Sequence, residues 1–183
     1  MTHSPFKFIL AFIIGFGLIA NSQTFAASKS EINIEVKQAL KRFNKDVGAS
    51  EEYMKLAKGV LVFPKIYKAG FGIGGEYGEG AMLINGKTVD YYSTAAASIG
   101  FQLGAQTKTV IILFTTSKAL DKFRNSDGWE AGVDGSVALI ELGAAATVDT
   151  NNFKKPIIAF VFNNKGLMYN LSLEGSKYSK IKR

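Results

Sequence analysis

Few side chains in this sequence could do covalent or metal chemistry. The one histidine, His3, stands near the first residue, and cysteine is absent. Serine–histidine triads, thiolate catalysis and ordinary nitrogen- or sulfur-ligated zinc or haem sites are therefore excluded beyond the first few residues. Carboxylate, lysine or tyrosine chemistry, or a metal held by oxygens, is what remains. Glu76 and Glu79, or Asp127 and Glu130, can be drawn as carboxylate pairs, but their spacing does not fix the separation that acid–base work needs. Ser179 and Lys182 have the Ser-x-x-Lys spacing of a β-lactamase element, without its companion motifs. Gly70, Gly72 and Gly75 satisfy G-x-G-x-x-G after an apolar run. A dinucleotide site needs a helix to open at the third glycine, and Tyr77-Gly78-Glu79-Gly80 argues against one. The expectation is a protein that is not an enzyme, with no cofactor and no metal.

The chemistry in surplus is positive charge. The chain carries 22 Lys and Arg against 15 Asp and Glu, a formal net charge of +7, and its pI is near 9.5. Lys37, Lys41 and Lys45 recur at i, i+4, i+8, which makes them one ridge if the segment is helical. Lys65 and Lys68 stand beside the glycine-rich stretch, and after Gly175 come Lys177, Lys180, Lys182 and Arg183. Each such side chain near an anionic surface contributes about 1 kcal/mol, so four or five together suffice for weak, salt-sensitive attachment. The plainer alternative is a basic surface that keeps the protein soluble. Charge alone favours the plainer reading; the residues that would carry lipid attachment are Lys37, Lys41, Lys45, Lys65, Lys68, Lys177 and Lys180.

The elements that must position these lysines are legible in outline. Ser30–Val47 reads as an amphipathic helix, with Ile32, Val36, Ala39, Leu40, Phe43 and Val47 in one stripe and the lysine ridge opposite. Ser50 is expected to cap a short second helix with Glu51 and Glu52 in its first turn, ended by Gly59. Val60–Phe63 suits a buried strand. Glycine then alternates with large apolar residues (Gly70, Phe71, Gly72, Ile73, Gly74), a strand with one face bare enough for another backbone, a helix or a ligand to approach. Such a strand needs a covering partner, because glycine is costly to order. Asn85-Gly86 signals a hairpin turn between Ile84 and Lys87–Tyr92. From Ile99 a second lightly furnished strand follows, and Thr109–Phe114 is a continuously apolar central strand. Ser117–Asn125 reads as a helix capped by Ser117, and Trp129–Ala146 as one or two strands. Ile157–Phe162 and Leu167–Leu173 flank Asn163-Asn164-Lys165-Gly166 as a second hairpin. These signals predict an α+β domain: a mainly antiparallel curved sheet, sandwich-like or barrel-like, with the N-terminal helix packed on it.

The first 26 residues have the grammar of a secretory signal peptide: Lys7, an apolar run from Phe8 to Ala20, then polar residues and small Ala26 and Ala27. The run is short of the ~20 residues that a spanning helix needs. Cleavage after Ala26 is expected, leaving a single domain over 27–183 in a periplasmic or secreted protein, either free or membrane-associated. A cysteine-free chain tolerates an oxidising compartment.

Three ordered motifs resemble the marks of the SYLF domain family in its bacterial secreted branch. They are Ala57-Lys58-Gly59-Val60-Leu61-Val62-Phe63-Pro64 with Lys68-Ala69-Gly70-Phe71-Gly72, then Gly132-Val133-Asp134-Gly135-Ser136-Val137, then Leu171-Ser172-Leu173-Glu174-Gly175-Ser176. The resemblance implies a lipid-binding domain; eukaryotic members bind phosphoinositides at an N-terminal amphipathic helix, and fungal members bind actin filaments. Here it points to anionic phospholipid or another envelope lipid as partner, actin by family alone, and no nucleic acid. Asp134 and Glu174, which sit in these motifs, read as turn and strand-end residues that satisfy backbone donors. The competing architecture is a small integral outer-membrane barrel or a structural envelope protein. Against the barrel, Thr109–Phe114 lacks the required apolar–polar alternation.

Overall fold

The computed structural model describes residues 27–141, 153–166 and 172–183. The expected leader lies outside the described residues, as do 142–146 of the expected Trp129–Ala146 strands and most of the second arm of the expected C-terminal hairpin. Helices α1 (Lys29–Asp46) and α2 (Ser50–Leu56) precede two very long strands, β1 (Gly59–Ile84) and β2 (Lys87–Phe114). Helix α3 (Ser117–Arg124) and strands β3 (Trp129–Glu130), β4 (Ala138–Glu141), β5 (Ile157–Gly166) and β6 (Lys177–Ile181) follow. The fold is α+β, a curled half-barrel sheet with helices against it. Strand β2 is the centre of the sheet. It pairs with β1 along one edge and with β6 and β5 along the other; β3 extends the sheet beyond β6, and β4 beyond β5. The β4–β5 pairing is parallel and the other strand pairings are antiparallel.

Asn85 and Gly86 form the hairpin turn, with φ of 51° and 74°, the left-handed pair that matches the twist of the flanking strands. The hairpin is then bent back on itself. Pairing slips between Phe71 and Ile73, where Phe71 faces Leu103 but Ile73 faces Ile99, so the extra residues on β2 bulge and turn both strands. The two limbs of β1 consequently meet face to face. A side chain on Gly80 would overlap the Val62 carbonyl, and one on Gly78 would come within 2.9 Å of the Ile66 side chain. The glycine-rich strand does need a covering partner, and the partner is the first half of the same strand. The surroundings of Gly72 lie outside the described residues, and a Cβ at Gly75 would meet nothing closer than 3.8 Å. A Cβ at Gly70 would come within 2.5 Å of the Gly74 backbone, so the close approach runs from the bend at Gly70 and Gly74 on to Gly78 and Gly80.

The curl creates two apolar layers. Leu61, Phe63, Met82, Val110, Ile112, Phe114, Phe123, Trp129 and Tyr178 fill the inside. Val60, Val62, Ile111, Leu113, Phe160 and Phe162 form the outer face, under Ile32, Val36, Ala39 and Phe43 of α1 and Tyr53 of α2. Val60–Phe63 and Thr109–Phe114 are apolar without alternation because both of their faces are buried. Burying Ile32, Val36 and Phe43 stabilises the docked helix by about 1.5–3 kcal/mol per side chain. Its first turn is held by a capping box: the Ser28 amide donates to Glu31 Oε2 at 2.7 Å, and the Glu31 amide to Ser28 Oγ at 3.2 Å.

Three local expectations are corrected. Ser50 does not cap α2; it lies within the helix, and its hydroxyl donates to the Asn44 carbonyl at 3.5 Å. Thr116, rather than Ser117, caps α3 by accepting from the Ala119 amide at 3.3 Å. Asn163–Gly166 is not a turn: β5 continues through it beside β2, absorbing the left-handed Asn163 (φ 54°) as a bulge. The basic C-terminal segment is ordered. Residues 177–181 are strand β6, anchored by Tyr178, whose ring packs 5.5 Å from Phe63 and 5.8 Å from Trp129 between centroids.

Candidate functional site

The lysines picked out by the sequence fall into three environments. Lys37, Lys41 and Lys45 are exposed on the outer face of α1, away from the buried stripe, and none is ion-paired among the described residues. Ile34, 54% exposed, shares that face. Two acids of the helix, Glu31 and Glu35, are engaged elsewhere. Glu31 is engaged with Ser28, whose backbone and side-chain hydrogen bonds hold its carboxyl below the usual range. Glu35 bonds Lys65, and this contact holds the Lys65 ammonium above its ordinary value. Glu31, Glu35 and Lys65 line a groove of about 790 Å³ between α1 and β1, together with Tyr67, Tyr77 and Arg183. The helix therefore presents a basic outer ridge and a mixed, paired flank.

The C-terminal lysines stand apart from the ridge. Lys180 pairs with Asp90 at 2.5 Å, and Arg183 with Glu79, so β6 uses its charges to fasten itself to the hairpin. Lys177 is exposed on the same strand.

Lys68, expected on the surface beside Lys65, is buried at 5% exposure. Its ammonium lies 3.2 Å from Glu76 Oε1, and Glu76 Oε2 lies 2.7 Å from Lys108 Nζ. Lys108 is 2% exposed. Lys68 and Glu76 stand on β1 on either side of its bend, and Lys108 lies on β2 opposite Ile66. Two ammoniums thus share one carboxylate inside the curl, and the triad ties the folded hairpin together across its bend. Such a cluster is costly to desolvate and is tolerated only when its charges stay paired. Close by, burial drives the Tyr178 phenol well above its usual range. Sequence reading missed Lys108. The signal was available: Lys108 alternates in phase with Val110, Ile112 and Phe114, the stripe that fills the interior.

The second family mark, Gly132–Val137, forms the turn after β3. Asp134 Oδ2 accepts from the Glu130 amide at 2.7 Å, the backbone role read from the sequence. Gly135 lies against Trp129, where a Cβ would come within 2.9 Å of Cζ2. Glu174 sits at the turn before β6, and its amide donates to Ser172 Oγ at 3.1 Å.

A family model described as Ysc84, Las17-binding protein actin regulator, matches residues 95–183. This match supports the assignment of the chain to the SYLF domain family. In this SYLF domain the matched segment takes in the second half of β2, α3 and β3 to β6, including the Gly132–Val137 and Leu171–Ser176 marks. The family as a whole is associated with lipid and actin-related binding. A comparison with curated proteins finds no match.

Proposed function

We propose that this SYLF domain is a non-enzymatic module of the bacterial cell envelope that attaches peripherally to anionic lipid through the outer face of α1. The observation that carries the reading is the segregation of charge on that helix. Lys37, Lys41 and Lys45 project outward with no ion-pair partner among the described residues, while Glu31 and Glu35 are engaged on the other flank. Exposed Ile34 adds an apolar contact at the same face. A basic helix face with an apolar contact is the arrangement that lies in a membrane interface. Export by the N-terminal leader, and envelope lipid as the ligand, complete the proposal.

Integral insertion is the weaker alternative. No helix among the described residues is long and apolar enough to cross a membrane. A barrel wall needs its apolar outer residues bare to lipid, whereas Val60, Val62, Ile111, Leu113 and Phe160 lie beneath α1 and α2. The test is co-sedimentation of the exported protein with phosphatidylglycerol vesicles and with phosphatidylcholine vesicles, each at low and high salt. Attachment to the anionic vesicles alone, weakened by salt, supports the reading. Equal recovery with both lipids, or none with either, contradicts it.

A further inference from the structure

A second lipid-like chemistry is built into the opposite part of the molecule. Helix α3, the turn after β3, and the entries to β4 and β5 line a half-open pocket of about 510 Å³, within the roughly 300–1,000 Å³ typical of small-molecule sites. Its floor is apolar, formed by Ala119, Val137, Ala138 and Ile157 over the buried Trp129 ring. Its rim is basic: Lys118 comes from α3 and Lys155 from the segment before β5, both exposed and neither ion-paired among the described residues. The third rim lysine, Lys122, donates to the Asp134 carbonyl. The one rim carboxylate, Asp134, has an oxygen occupied by the Glu130 amide. An apolar floor beneath two uncompensated ammoniums complements a molecule with a hydrocarbon body and a negative end.

We propose that this pocket binds a single-chain anionic amphiphile, with the hydrocarbon chain over Trp129 and Val137 and the carboxylate or phosphate between Lys118 and Lys155. The site uses none of the α1 lysines and does not depend on membrane attachment. It goes beyond the interfacial role, since the ligand is a dispersed monomer rather than a diacyl bilayer.

Trp129 is the only tryptophan in the chain, so its emission reports on this pocket directly. Intrinsic fluorescence would be titrated with dodecanoate below its micellar range, with dodecyl phosphate, and with dodecyltrimethylammonium as the charge-reversed control. Saturable changes with both anions, at least ten-fold weaker for the cation, are expected. Lys118→Glu/Lys155→Glu should weaken dodecanoate binding by ten-fold or more while leaving the ligand-free emission spectrum and the melting temperature unchanged. If that double variant fails to fold, Lys118→Gln/Lys155→Gln, which adds no charge, serves the same comparison. Phosphatidylglycerol vesicles should leave Trp129 emission unaltered even where they sediment the protein. Equal response to anion and cation, undiminished dodecanoate binding in the lysine variants, or the same emission shift with vesicles would each overturn the proposal. Retained vesicle attachment in α1 variants with dodecanoate binding intact would sink the interfacial reading alone.

Discussion

Two groups of lysines in one small domain meet opposite fates. Lys37, Lys41 and Lys45 stand on a helix whose other face is docked, so their ammoniums remain in water. Lys68 and Lys108 stand on strands that curl inward, so their ammoniums are buried against Glu76. A solvated ammonium loses little when its surroundings change and is free to meet an external anion. A buried one is held by its partner, and removing the partner is what destabilises. The ridge should therefore matter to binding and hardly to folding, and the interior cluster the reverse.

The comparison can be broken most forcefully at Glu76. Glu76→Ala leaves two buried ammoniums without their shared carboxylate and should cost about 3–5 kcal/mol, read as a lower urea midpoint at unchanged slope. An unchanged midpoint would mean that Lys68 and Lys108 are solvated after all, and the contrast with the ridge would disappear. Gly80→Val probes the same interior without touching a charge. It drives a side chain into the Val62 carbonyl and should cost about 1–3 kcal/mol despite valine's better strand propensity. A raised melting temperature would show that the two limbs of β1 separate easily.

A pH series sharpens the contrast further. Burial, reinforced by Asp90, pushes the Tyr92 phenol up to about 12, and burial lifts Tyr178 further still. A group whose folded pKa is raised favours the folded state in its protonated form. Its contribution is complete below the unfolded tyrosine value of about 10 and is lost as pH rises through the folded value. Stability should hold to about pH 10 and then fall, with a shallower fall in Tyr92→Phe. An equally steep alkaline loss in that variant would assign the titration to other groups. Reversing Lys37, Lys41 and Lys45 to Glu should have the smallest effect on folding, within about 0.5 kcal/mol per exposed site.

Much of the scaffold was legible because its residues obey one period at a time. The α1 stripe at 3.6 residues, Asn85-Gly86, and the unbroken Thr109–Phe114 run each specify a local structure that tertiary packing keeps. The doubling of β1 was not legible, since the spacing of Gly70 to Gly80 declares a bare face without saying what covers it. That information lies in the slipped register between Phe71 and Ile73, a property of the strand pair. Lys68 read as a surface lysine because residue type outweighed strand phase; only the bend brings Glu76 to it. Asn163–Gly166 looked like a turn because its composition suits one, and the neighbouring β2 edge overrode that preference. Ser50 and Ser117 were each plausible caps, displaced when the helix began one residue earlier than expected.

The central claim is that lipid attachment belongs to the α1 ridge and not to net charge. The most direct measurement compares two variants that each shift the charge by six units: Lys37, Lys41 and Lys45 reversed to Glu, and Lys55, Lys58 and Lys87 reversed to Glu. The second set is exposed and lies off the α1 ridge and the α3 pocket. Both proteins would be assayed with phosphatidylglycerol vesicles at one salt concentration, after melting curves confirm that each is folded. The account predicts that the ridge variant stays in the supernatant while the control variant sediments close to wild type. Equal loss in both variants, or retained sedimentation of the ridge variant, would contradict it.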